Sequence, residues 1–463
     1  MNVLLINPPV RSENIYGRLA IFSHKLPPLG LCYLASYLIG YGHKVEILDL
    51  YVSNHINLID FINAYQPDII GVTSTTVSFP SAKKTLKIIK SYYPEVITVM
   101  GGAHISAVPV ETMNECADIA IGVIGEGEIT FKELIDIIGQ NQDLSGCRGI
   151  IYRKNNSIVK TQPRPLIENL DMLPFPARNL LKEFDRYYHH FLRGYGRTAS
   201  IISSRGCPYG CAFCTQAVFG TRVRGYSAHY ICDEIKQVMR DFSANFFSFE
   251  DDIFNYDRQR LKELCENILR EGLKIRWCCS IRIDSITEED IGLMAKAGCK
   301  KIYIGIETFS NRLQKLIGKH IEREFLIDKI RLIKSYNMEV NASFMLGLPT
   351  ETKEEILETI NNANNLPLDG AVFFLYTPYP GTQLRRLAEE SGIISNKWDD
   401  YSSHLSTHAF YPRSIKVKDL DRLIFYAYRR FYLSPKFIKR NYRNTNIFRQ
   451  LFKYLFKRVK SLF

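Results

Sequence analysis

Short apolar runs that read as strands alternate with amphipathic stretches that read as helices along most of this chain, and a βα alternation of that kind admits few architectures. Within residues 1–140 the strand-like runs fall at 3–6, 44–48, 69–73, 96–100 and 119–124, with helical patterns at 29–39, 58–64, 82–92 and 130–138. Such an order predicts a parallel, doubly wound sheet covered by helices on both faces. Ligands of that architecture bind beyond the carboxyl ends of the strands. The segments at those ends are small, polar and glycine-rich: Asn7-Pro8-Pro9, Ser74-Thr75-Thr76, Gly101-Gly102-Ala103-His104 and Gly125-Glu126-Gly127-Glu128. Glycine there lets backbone approach a bulky ligand, and hydroxyls supply a polar rim. Residues 141–195 break both periodicities with Pro163, Pro165, Pro174 and Pro176, and read as a connector. Six further strand signals follow near Ala199, Asn245, Ile275, Lys300, Glu339 and Ala371, which predicts a partial (β/α)6 barrel over 196–395. Residues 396–463 read as a helical, basic tail.

The 463 residues suffice for two or three domains, and 46% hydrophobic with 23% charged residues is ordinary globular composition. A net charge of +12 raises the question of nucleic acid, but residues 413–463 carry 15 Lys and Arg against 2 Asp, so the rest is near neutral. With no recognisable RNA- or DNA-binding module, nucleic acid is not expected as a partner. The apolar run at the start is too short for a signal peptide and no later stretch reaches the ~18 apolar residues of a membrane span, so a cytoplasmic location is expected. Eleven cysteines, three clustered and eight scattered, suit a reduced protein with one metal site better than a disulfide framework.

The three clustered cysteines lie in Arg205-Gly206-Cys207-Pro208-Tyr209-Gly210-Cys211-Ala212-Phe213-Cys214. A CxxxCxxC spacing offers three thiolates to one site and no fourth, whereas a structural zinc site is closed by four ligands. The loop follows the strand near Ala199 and so sits at a strand's carboxyl end. At these residues the chain resembles the radical S-adenosylmethionine (SAM) enzymes. The resemblance implies a [4Fe-4S] cluster held by Cys207, Cys211 and Cys214, with the fourth iron chelating SAM. It further implies SAM contacts from Phe213, from Asp251 and Asp252 in the Glu250-Asp251-Asp252 run, from Arg282 as a fork for the SAM carboxylate, from Glu307 for the ribose, and from Gly347 near the adenine. Tyr376 and Tyr379 stand as substrate-pocket candidates. Within residues 1–140 the chain looks like the cobalamin-binding domain that precedes the barrel in one subgroup, implying corrin contacts from Asn7, Ser74, Thr75, Thr76, Gly101, Gly102, His104, Gly125, Glu126 and Gly127. The DxHxxG signature that ligates cobalt in many cobalamin proteins is absent, which implies a base-off cofactor. No G-x-G-x-x-G follows the first strand, so a dinucleotide site lacks its own fingerprint.

The expected chemistry is reductive cleavage of SAM, fed by an external flavodoxin- or ferredoxin-type donor, with methylation of an unactivated carbon or phosphorus centre of a small or lipid-like substrate. Ring formation or contraction is the alternative within the subgroup. A methylthiotransferase would need a second cluster, for which Cys32, Cys116 and Cys147 supply the number, and a plain iron–sulfur carrier would need no βα repeats. Residues 447–463 place Phe448, Leu451, Phe452, Leu455, Val459 and Leu462 opposite most of their cations, a pattern open both to a docked terminal helix and to one lying on an anionic membrane.

Overall fold

The protein is described by a computed structural model over residues 1–10, 12, 25–155, 157–187, 196–402 and 408–441. Four consecutive residues, Val3, Leu4, Leu5 and Ile6, are buried on strand β1 (Asn2–Asn7), as a strand covered on both faces requires. It lies between β2 (Lys44–Asp49) and β3 (Ile69–Thr73), and β4 (Ile97–Gly101) and β5 (Ile121–Val123) follow outward, all parallel, in the order β2-β1-β3-β4-β5. Strand order reverses between β1 and β3, so a crevice opens beyond their carboxyl ends. Two apolar layers, one under helices Leu29–Gly40 and Glu128–Gly139 and one under helix Phe79–Tyr92, cover the two faces.

The sheet does not end at residue 140. β6 (Ile150–Lys154) and β7 (Ser157–Lys160) extend it by an antiparallel hairpin inside the segment read as connector. Only Ile150, Ile151 and Tyr152 are buried there, a run too short to stand out from its polar surroundings. Further along, Arg178 ties the connector to the barrel: its guanidinium donates to the Ser200 carbonyl (2.8 Å) and to Glu234 (2.6 Å).

The second sheet runs β8 (Thr198–Ile201), β11 (Phe246–Phe249), β12 (Arg276–Ile281), β13 (Cys299–Glu307), β14 (Glu339–Leu346) and β15 (Gly370–Leu375), parallel and in chain order. A two-stranded ribbon, β9 (Ser204–Arg205) and β10 (Arg224–Gly225), brackets the cysteine loop. Strand side chains alternate: Phe247, Phe249, Trp277, Cys279, Ile302 and Ile304 meet the helices, while Phe246 and Cys278 form a small inner cluster with Tyr303. Helix Val417–Tyr432 covers the edge of β15, where the Tyr428 and Tyr432 hydroxyls hydrogen-bond both backbone groups of Phe373 and of Ala371 at 2.9–3.2 Å. They satisfy the groups a seventh strand would otherwise pair. The amphipathic pattern at 447–463 lies outside the described residues.

Candidate active site

The cysteine loop is fixed by backbone. Gly206 has φ +94, and a Cβ there would stand 2.6 Å from the Arg222 carbonyl, so the residue ahead of Cys207 must be glycine. The Gln216 amide donates to the carbonyls of Cys207 and Tyr209, while Ala212 receives Leu384 N–H (2.8 Å) and donates to the Ile317 carbonyl (3.1 Å). The loop is thereby bound to the helices Asn311–Leu316 and Gln383–Ser391, which follow β13 and β15. Cys207 and Cys211 are half-buried and Cys214 is exposed. Burial, then the charge of Asp252, pushes the Cys214 thiol up to about 11, and burial raises Cys207. Cysteine thiols become thiolates when a cationic centre binds among them, which is the chemistry of a cluster ligand set. Among the described residues no group of three or more His, Cys, Asp or Glu side chains stands at metal-ligating geometry.

A cavity of about 360 Å³ opens beside the loop, walled by Tyr209, Gly210, Cys211, Cys214, Thr215, Gln216 and Ala217, by Gly381 and Gln383 of the barrel, and by Ser106 and Ala107 of the N-terminal domain. Both domains therefore contribute to one chamber.

Of the three acids after β11, Asp252 is exposed and lies near Cys207 and Cys214, and burial by the surrounding protein raises its carboxyl. Glu250 reaches solvent, is raised by burial, and accepts from Ser200 Oγ (3.3 Å). Asp251 corrects the expectation of a SAM contact: its buried carboxylate is consumed by Ser203 N–H (2.6 Å), Ser204 N–H (3.0 Å) and the Ser203 hydroxyl. It is a brace for the strand leading into the cysteines. Arg282 stacks on Tyr209 of the loop, 4.1 Å from the ring centroid, and pairs with Asp284 (2.8 Å). Glu307 is buried at φ +69, outside the usual range for a non-glycine residue, and meets Lys319 at 3.2 Å. Gly347, at φ +75, starts a turn whose Gly347 and Leu348 N–H groups donate to Glu351 (2.6 and 2.9 Å). Phe213 packs in an apolar group with Leu348, Tyr376 and Leu384, so the ring lies beside that turn. Tyr376 is buried there against Phe410 (5.5 Å).

On the N-terminal side Thr75 is exposed at the sheet's carboxyl end, Ser74 is buried with its hydroxyl unpartnered, and a Cβ at Gly101 would meet nothing within 4 Å. Three corrin candidates are spoken for. The Asn7 amide donates to Asp49 (2.9 Å). His104 is buried against Phe79 (4.2 Å) and the edge of Trp398 (4.9 Å), with Nδ1 3.3 Å from the Thr76 hydroxyl, and burial lowers its pKa to about 4. Its imidazole is a neutral packing group. Glu126 is locked onto Arg205 and Arg224. Gly125, at φ +82, donates its N–H to Ser106 (3.0 Å), and Gly127 starts the next helix. Sequence reasoning missed Gln216, Lys319, Glu351, Trp398 and the two arginines, whose partners all lie far away in the chain or within a turn.

Cys32 and Cys147 are buried in one apolar layer of the N-terminal sheet and Cys116 in the other, so these three thiols share no site. A half-barrel carrying a three-thiol loop faces a doubly wound domain across one chamber, the arrangement of an enzyme that works with more than one cofactor. The B12 binding domain family matches residues 18–135 and the Radical SAM superfamily residues 201–363. The chain is 34% identical to an uncharacterized methyltransferase of Pyrococcus horikoshii over 94% of its own length and 93% of the relative's. It is 28% identical to the anaerobic magnesium-protoporphyrin IX monomethyl ester cyclase of Rubrivivax gelatinosus, covering 95% and 79%. The structure of the radical SAM methyltransferase TsrM from Kitasatospora setae, with cobalamin and a [4Fe-4S] cluster bound, superposes with a TM-score of 0.73 at 19% identity over 92% and 90% of the two chains. The chain belongs to the cobalamin-binding radical SAM enzymes, whose cofactors are a [4Fe-4S] cluster, SAM and cobalamin.

Proposed function

We propose that this enzyme transfers a methyl group from SAM to an unactivated carbon or phosphorus centre of a small or hydrophobic substrate. One observation carries the proposal: the cavity that Cys211 and Cys214 wall on one side is walled by Ser106 and Ala107 of the corrin-binding domain on the other. The two methyltransferases to which the chain is similar support it. When bound, the cluster supplies the electron that cleaves SAM and the corrin carries its methyl group. The chain's own residues bind and orient. Cys207, Cys211 and Cys214 hold the cluster; Asp252, beside them, offers a carboxylate to the SAM ammonium group. Arg282, held near the loop by Tyr209, presents a fork to the SAM carboxylate. Phe213 and the Gly347 turn flank the adenine, and the Glu307–Lys319 pair holds the ribose side. Thr75 and Gly101 border the corrin. Similarity to the ester cyclase keeps ring formation as a second reading.

An external flavodoxin or ferredoxin would deliver the electron in the cytoplasm, and residues 447–463 would give peripheral contact with an anionic membrane. No helix among the described residues is long and apolar enough to cross one. The test is anaerobic incubation of the loaded enzyme with methyl-deuterated SAM and a metabolite extract from cells lacking the gene. A deuterated methyl group in a new product supports the proposal. Steady 5′-deoxyadenosine formation with a ring-closed, unlabelled product would favour the cyclase chemistry.

A further inference from the structure

Four charged side chains are buried together where the two domains meet: Glu126 and Glu128 after β5, and Arg205 and Arg224 on the ribbon that brackets the cysteine loop. Arg205 donates to Glu126 (2.9 Å) and to Glu128 (2.7 Å). Arg224 donates to both oxygens of Glu126 (2.9 and 2.8 Å) and to the Ile167 carbonyl (2.8 Å), and Ile167 N–H donates back to Glu126 (2.8 Å). The Arg205 guanidinium is further held between the rings of Tyr33 (5.4 Å) and Phe219 (5.3 Å).

Two positive and two negative groups balance, so the set is neutral as a whole. Buried ion pairs add little net stability over apolar residues of the same volume, but their geometry is directional and their breakage is costly. What such a set can give is register. Arg205 is joined to Cys207 through the single residue Gly206, whose conformation leaves no slack. Glu126 sits between Gly125 and Gly127, and Gly125 N–H is bonded to Ser106, which walls the shared chamber. The network therefore connects the two walls of the chamber by a short path of ion pairs and backbone, made through the terminal nitrogens of both guanidinium groups while their Nε atoms stay unpartnered.

We propose that Glu126, Glu128, Arg205 and Arg224 are positioning residues that set the separation between the cluster and the corrin. The proposal rests on the two-cofactor reading. It is tested on holoenzyme in which the cluster and the cobalt are both reduced to paramagnetic states, so that electron paramagnetic resonance reports their dipolar interaction. Glu128→Gln keeps the shape of that side chain and removes its charge; Arg224→Lys keeps the charge and removes the fork. The expected result is wild-type iron and corrin content with a splitting at least twofold broader in both variants, the sign of a distributed distance. An unchanged splitting in variants with full cofactor content overturns it. The same variants, free of cofactors, are followed by calorimetry. A single transition in the wild type that separates into two supports the proposal even where a variant loads poorly, and a single transition in both variants overturns it. A wild type that loads neither cluster nor corrin refutes the two-cofactor reading instead, and calorimetry alone then judges the network.

Discussion

Replacing Gly102 by alanine should damage the corrin-binding domain, while the same change at Gly101, one residue away, should not. Gly102 has φ +100 and ψ −172, a region open essentially to glycine alone, and holding an alanine there costs about 1–3 kcal/mol. Its Cβ would also stand 2.6 Å from the Ser74 carbonyl and 2.9 Å from the Thr73 hydroxyl. The carbonyl belongs to backbone that already accepts His104 N–H, so it cannot swing away, and such overpacking costs about 1–3 kcal/mol more. Together these remove about 4 kcal/mol from a domain whose whole stability is of order 5–15 kcal/mol. The unfolding midpoint of the cofactor-free protein should fall by about 10 °C. At Gly101 a Cβ meets nothing within 4 Å, so Gly101→Ala should leave that midpoint within about 2 °C, and the bulkier Gly101→Val should lower corrin content by filling the space the ring approaches. Thermal unfolding by circular dichroism, with corrin measured by absorbance, decides the matter. Equal midpoints for Gly101→Ala and Gly102→Ala, or a wild-type midpoint for the latter, would refute the reasoning.

Other expectations follow from single residues. Cys207→Ala, Cys211→Ala or Cys214→Ala should abolish the brown absorbance and SAM cleavage together, whereas Cys278→Ala, on the inner face of β12, should spare both; full iron in Cys211→Ala would sink the ligand assignment. Since His104 is a buried neutral ring beside Phe79, His104→Phe should leave the base-off spectrum of bound hydroxocobalamin unchanged, and nitrogen superhyperfine coupling in the cobalt(II) form that vanishes in this variant would contradict the packing role. Burial raises the Glu351 carboxyl to about 8. Its folded pKa thus exceeds the ordinary value, so its contribution is complete below about 4.5 and is lost as pH climbs through 8. Glu351→Gln, whose amide oxygen can still accept Gly347 and Leu348 N–H, should therefore gain on wild type by up to a few kcal/mol between those limits, and a difference in stability independent of pH would exclude the effect. For the tail, sedimentation with anionic vesicles should show binding that salt weakens and that deletion of 444–463 removes; equal recovery in the supernatant with and without those residues would leave only a docked helix.

The strands were legible because parallel strands buried on both faces are continuous apolar runs: the six barrel signals fall at or within two residues of the observed strand starts, from Thr198 to Gly370. The β6–β7 hairpin was not, since it buries only three residues among polar neighbours and its pairing to β5 is antiparallel. The cysteine loop was legible because its ligands are adjacent in sequence. Side-chain partners were not. Glu126 stands in a Gly-Glu-Gly turn that looks made for a ligand, yet its counter-ions are 79 and 98 positions away. His104 follows a Gly-Gly pair suited to a cofactor, and its neighbour Trp398 comes from near the other end of the chain. For Asp251 a signal existed. Ser248 faces the barrel interior beside Cys278, so a period of two puts Glu250 and Asp252 on that side and turns Asp251 back, toward Ser203 and Ser204.

The most direct test of the central claim is the iron, sulfide and corrinoid content of anaerobically purified and reconstituted protein. One four-iron cluster and one corrinoid per chain, the corrin lowered in Gly101→Val and the iron lost in Cys211→Ala, is the predicted result. Two clusters with no bound corrin would contradict it.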